Sequence, residues 1–144
     1  MKVGTFIVGA PKAGTTSLHY YLNEHPEILM SSVKEPDFFS DKEIVDQGLY
    51  YGTSRINTSQ KYHNLFSDKK DEKIFGESSV SYLYYPEVPK RIKEYNTEAK
   101  IIIMLRNPID RAFSHYLMDS RLGLLSDKFE DVFNKKEGLK FQQY

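Results

Sequence analysis

Apolar and polar positions along the 144-residue chain fall into short runs whose period changes from segment to segment. Residues 3–8, with Val3, Phe6, Ile7 and Val8, form a nearly unbroken apolar run that predicts a buried strand. From Thr15 to about Asn23 the period becomes helical, with Leu18, Tyr21 and Leu22 on one face. His25-Pro26 ends that helix, because proline disfavours helical backbone just before it. Ile28 to Met30 and Lys73 to Glu77 read as two further strands. Pro86 to Tyr95 reads as a helix with Pro86 near its first turn and Val88, Ile92 and Tyr95 facing inward. Ala99 to Leu105 contains Ile-Ile-Ile-Met-Leu, which predicts a central strand covered on both faces. Beyond Asn107-Pro108, the apolar positions Ile109, Ala112, Phe113, Tyr116 and Leu117 predict a long helix, and Asp127 to Asn134 a last short one.

Between Ser31 and Asp71 the apolar residues Phe38, Phe39, Leu49, Tyr50, Tyr51, Tyr62, Leu65 and Phe66 follow no clean period. Short helices and loops are expected there, forming a substrate-facing insertion. Strands alternating with helices predict an α/β fold with a mostly parallel sheet. Ligands of such sheets bind beyond the carboxyl ends of the strands. Three candidate polar groups fall at such ends: the loop after the first strand, Glu77 and Arg106.

Length fits one domain spanning residues 1–144, without internal repeat or linker. Twenty basic and twenty acidic residues cancel, so no global field draws the chain to nucleic acid or an anionic membrane, and any anion must be held by local groups. The absence of cysteine excludes disulfides and thiolate chemistry and agrees with a reducing compartment. With no transmembrane run and no room for a signal peptide ahead of the first strand, a cytoplasmic enzyme is expected.

Gly9-Ala-Pro-Lys-Ala-Gly-Thr-Thr-Ser17 carries the clearest chemistry. A strand feeding a glycine turn that opens a helix presents backbone amides and the helix dipole to an anion. Gly9 and Gly14 have the spacing of the triphosphate loop G-x-x-x-x-G-K-[ST]. Thr15, however, stands where that loop has lysine, and Lys12 lies inside the turn, which points to a different nucleotide. Thr15, Thr16 and Ser17 are candidates both for helix caps and for phosphate contacts. Arg106, at the end of the isoleucine strand, and Ser114, two turns into the next helix, form a second candidate anion site, with an Arg106–Asp110 ion pair as the alternative. Glu35, beside Phe38 and Phe39, is a candidate general base with a raised pKa. Glu77 is open to acid–base, metal or structural duty, and the four histidines read as structural or exposed.

Together these residues resemble the sulfotransferases that use 3′-phosphoadenosine 5′-phosphosulfate (PAPS), in the branch holding bacterial and heparan-sulfate enzymes. The loop Gly9–Ser17 is similar to that family's 5′-phosphosulfate loop. Leu105-Arg-Asn-Pro-Ile-Asp-Arg-Ala-Phe-Ser-His-Tyr116 is similar to its 3′-phosphate motif. The resemblance implies an α/β architecture like that of P-loop nucleotide hydrolases, and transfer of a sulfuryl group to a hydroxyl or amine of a carbohydrate, lipid or small molecule. Pro11, Lys12, Ala13, Gly14, Thr15, Thr16, Ser17, Arg106 and Ser114 would bind the donor. Lys12 and Glu35 would act in catalysis, without a metal.

Lys34-Glu-Pro-Asp-Phe-Phe39 is similar to the family's acidic segment with paired aromatics, with Asp37 where relatives often carry histidine. Ser78 stands where that branch carries a lysine near the sulfuryl group. The resemblance also implies further structure after residue 144, so that the chain reads as an N-terminal portion of a longer domain. Two other readings stay open at this point: a nucleotide-binding unit without turnover, and a P-loop kinase or NTPase, which would need a lysine directly after Gly14 and an acidic residue for Mg²⁺.

Overall fold

The structure, a computed structural model, describes residues 2–48 and 55–134. Four strands, β1 (Thr5–Gly9), β2 (Ile28–Met30), β3 (Ile74–Ser78) and β4 (Lys100–Ile103), make one sheet in the order β2-β3-β1-β4. Every pairing is parallel, with Thr5 opposite both Gly76 and Lys100. Helices α1 (Thr15–Asn23), α2 (Asp41–Asp46), α3 (Ser59–Asn64), α4 (Val88–Tyr95), α5 (Pro108–Arg121) and α6 (Phe129–Asn134) connect and flank it. A short 3₁₀ turn, Val80–Leu83, follows β3. The predicted α/β class and the predicted elements are present, with α1 and β2 bounded as expected and the ends of the other strands and of α4 and α6 shifted by at most two residues. Leu49, Tyr50 and Tyr51 lie outside the described residues.

Alternation along β1 explains the main core. Phe6 and Val8 point to one side of the sheet and join Phe39, Ile44, Tyr62, Leu65, Phe66, Tyr82, Tyr85, Val88 and Ile92. Much of the aperiodic segment between β2 and β3 is therefore a structural layer packed on the sheet. Its aromatic rings pack edge to face on one another, and Phe38 stacks on Tyr62 with centroids 4.4 Å apart.

Three expectations require correction. Strand β4 is not central: it lies at the rim of the described sheet and pairs with β1 alone, leaving Ile101 and Ile103 about half exposed at 48% and 51%. Its apolar run reflects a rim that opens onto a shallow groove of Val8, Leu83, Pro89, Ile92 and Ala99. In α1 the buried positions are Thr15 and His19, while Tyr21 is 69% exposed. In α5 the apolar stripe faces outward, with Ile109 at 73% exposure, and the buried residues are His115 and Asp119. In both helices the buried positions are polar: His19 lies near Ser31 and Lys34, and His115 near Arg111 and Lys12.

Candidate functional site

The loop from Gly9 to Gly14 lies at the carboxyl end of β1, clasped to its neighbour. The Met104 amide donates to the Gly9 carbonyl at 2.8 Å, and the Ala10 amide donates to the Met104 carbonyl at 2.7 Å. Gly9 has φ +145° and Gly14 φ +93°, a region that side chains disfavour. A Cβ on Gly9 would also sit 3.0 Å from Leu83. Lys12 adopts φ +62° without that freedom. Gly14 is the N-cap of α1 and has no side chain to cap it. Thr15, Thr16 and Ser17 do not take the capping role considered for them, so the first-turn amides stay available to an anion together with the helix dipole.

Arg106 reaches this loop: its Nη1 donates to the Lys12 carbonyl at 3.2 Å. No ion pair with Asp110 forms; Asn107 caps α5 by accepting from the Ile109 and Asp110 amides at 3.0 and 3.4 Å. Lys12 Nζ lies 3.7 Å from Met118 Sδ on α5. Ser114 is one turn before Met118, on the same i, i+4 stripe, so it belongs to the α5 surface that meets the loop. His115 reports the field there. Burial first, then the positive charges of Arg111 and Lys12, push it down to about 4. The structure thus brings Lys12, Arg106 and the Met118 side of α5 together at the loop, with Thr15 buried at the head of α1.

Glu35 lies on a different wall, at the end of β3, where its amide donates to the Ser78 carbonyl at 2.8 Å. Its side chain is 41% exposed and pairs with Lys34. The apolar surroundings expected for Glu35 are absent, because Phe38 and Phe39 turn into the core. The buried carboxyls are its neighbours. Both Glu35 (φ +59°) and Asp37 (φ +51°) occupy the left-handed region, a strain of about 1–3 kcal/mol each.

Glu77 is fully buried and accepts hydrogen bonds from Tyr62 (2.9 Å), Tyr82 (2.7 Å) and Ser79 (2.7 Å). Ser81 donates to Asp37 Oδ1 at 2.5 Å and shares a 2.7 Å bond with Ser40. Burial outweighs these bonds and pushes both Asp37 and Glu77 up to about 7. Sequence reasoning marked Glu77 but missed its partners. The available signal was a carboxylate inside an apolar strand followed by Ser79, Ser81 and Tyr82, since a buried charge requires donors. Among the described residues no group of three or more His, Cys, Asp or Glu is placed to hold a metal ion.

These shifts fix a pH dependence of stability. An unfolded Glu77 would lose its proton near 4.5, whereas the folded one holds it up to about 7. The native state therefore binds more protons across that window. Its contribution is complete below 4.5 and is lost as pH rises through 7, by about 3 kcal/mol. Glu77→Gln should remove that loss, and denaturant midpoints measured from pH 4 to 8 should fall less steeply than in the parent. Equal slopes would contradict the assignment.

A family model described as Sulfotransferase domain matches residues 3–142. Mouse carbohydrate sulfotransferase 15 is 30% identical over 166 residues, covering 91% of this chain and 29% of that protein. The membrane-associated sulfotransferase kil1 of Dictyostelium discoideum is 32% identical over 110 residues, with 76% and 21% covered. Mouse heparan sulfate glucosamine 3-O-sulfotransferase 6 is 34% identical over 110 residues, with 76% and 28% covered. The crystal structure of a sulfotransferase from Alicyclobacillus acidocaldarius superposes with a TM-score of 0.78 at 36% identity, covering 91% of this chain and 55% of that one. The chain thus spans about a fifth to three tenths of these curated relatives. Among the described residues no helix is long and apolar enough to cross a membrane.

Proposed function

Since this chain belongs to the sulfotransferase domain family, we propose that its loop and the Arg106 wall bind PAPS and support transfer of a sulfuryl group to an acceptor hydroxyl or amine. The observation that carries this reading is the contact between Arg106 and the Lys12 carbonyl, which sets two anion-binding groups side by side. The uncapped amides of α1, with Pro11, Ala13, Gly14, Thr15, Thr16 and Ser17, would hold the 5′ phosphate. Arg106 and Ser114 would hold the 3′ phosphate and so select this nucleotide over simpler adenosine phosphates. The donor supplies an activated sulfuryl group on a phosphate leaving group. Lys12 stabilises the charge left on the departing oxygen, and Glu35 accepts the proton of the acceptor. Lysine and backbone dipoles supply the electrostatics, so the proposal needs no metal.

The acceptor class is a carbohydrate, lipid or small molecule. A cytoplasmic setting belongs to the same proposal, on the strength of the cysteine-free composition. Calorimetric titration with adenosine 3′,5′-bisphosphate tests the donor assignment. Binding should be evident, and Arg106→Ala should weaken it about 10- to 100-fold through loss of a charge-assisted bond. A variant that binds as well as the parent would reject the 3′-phosphate role. Preference for ATP with Mg²⁺ would favour the kinase reading instead, and bisphosphate binding without transfer to any acceptor would favour a binding unit.

A further inference from the structure

We propose that Glu77 is a positioning residue: its buried carboxylate fixes the turn of residues 35–39 and thereby the direction in which Glu35 faces. This inference rests on the reading of Glu35 as the base. Three independent connections run from the one carboxylate to three consecutive residues of the turn. Ser79 donates to Glu77 Oε2 at 2.7 Å, and the same hydroxyl accepts the Asp37 amide at 3.1 Å. Tyr62 donates to Glu77 Oε1 at 2.9 Å, and its ring carries Phe38 in a stack tilted by 11°. Tyr82 donates to the same oxygen at 2.7 Å, and its hydroxyl accepts the Phe39 amide at 3.3 Å.

Glu77 suits this role because, once ionised above about pH 7, its carboxylate only accepts. It orients all three hydroxyls toward itself and leaves the lone pairs of Ser79 and Tyr82 for the amides of the turn. Those amides belong to a segment with two non-glycine residues at positive φ, which persists only where its surroundings over-determine it. Glu77 does not reach solvent or the loop, so it acts through the turn and not on a reacting atom.

Removing the carboxylate outright would empty a fully buried site, so the test uses Ser79→Ala in the 144-residue chain, with Ser79→Thr as the conservative rescue. Ser79→Ala should raise amide exchange at Asp37 about ten-fold. It should lower kcat for sulfuryl transfer about 10- to 100-fold through misalignment, with KM for PAPS and bisphosphate affinity unchanged. Ser79→Thr should restore most of both. A role in stability alone would shift the melting temperature while sparing turnover. Wild-type turnover or unchanged Asp37 exchange in Ser79→Ala, beside an inactive Glu35→Gln, overturns the positioning role and spares the functional reading. A fully active Glu35→Gln overturns both.

Discussion

Glu35→Gln should lower the turnover of sulfuryl transfer about 10²- to 10⁴-fold, the range by which a positioned general base contributes. The substitution keeps the size and hydrogen-bonding shape of the side chain and removes only its ability to take a proton. Glu35 is exposed enough to meet an acceptor, and its carboxylate pairs with Lys34 beside it. Its backbone is anchored to the end of β3 through the Ser78 carbonyl, clear of the phosphate loop. Affinity for adenosine 3′,5′-bisphosphate should therefore be untouched. Steady-state kinetics with PAPS, paired with calorimetry, separate the two quantities. Turnover equal to the parent's would remove Glu35 from the mechanism.

The second large effect is expected at Lys12. Lys12→Met keeps an unbranched stem and deletes the ammonium, and kcat should fall about 10²- to 10³-fold, as when one transition-state stabilising group is lost. The neighbour at Nζ is the thioether of Met118, which leaves the positive charge unneutralised and available to a developing anion. The same variant carries a readout that needs no turnover. Lys12 is one of two cations holding His115 down at about 4, after burial. Its removal should raise the His115 pKa part of the way toward 6.5, observable by NMR titration. A His115 that titrates as before would mean that Lys12 does not face this pocket.

Period and punctuation make most of the fold legible in the sequence. Helix α1 follows from the glycine turn and from proline 26, and α4 from Val88 and Ile92 at helical spacing. The loop and the Arg106 motif were legible because glycine spacing and a strand-end arginine are local signals. What escaped was set by distant parts of the chain. The isoleucine run of β4 looks central by composition, yet strand order depends on which partners are present, and the run alone cannot report that. Likewise the apolar stripe of α5 says which residues share a face, not which face is buried. The partners of Glu77 come from α3, the 3₁₀ turn and the residue after β3. Their convergence is a property of the fold, so the role of Glu77 stayed open among three alternatives.

The parallel pairing of β1 with both β3 and β4 has a consequence for biogenesis. Strand β1 cannot be hydrogen-bonded on either edge until its partners leave the ribosome, about 70 residues later for Gly76 and more for Lys100. At about 5–20 residues per second, Phe6, Ile7 and Val8 wait roughly 4–14 s for the first of them. During that interval the apolar heart of the future sheet is a sticky, unpaired segment of the nascent chain. The Gly9–Gly14 loop is thus hung on a strand made before both of its partners and secured only when the second arrives.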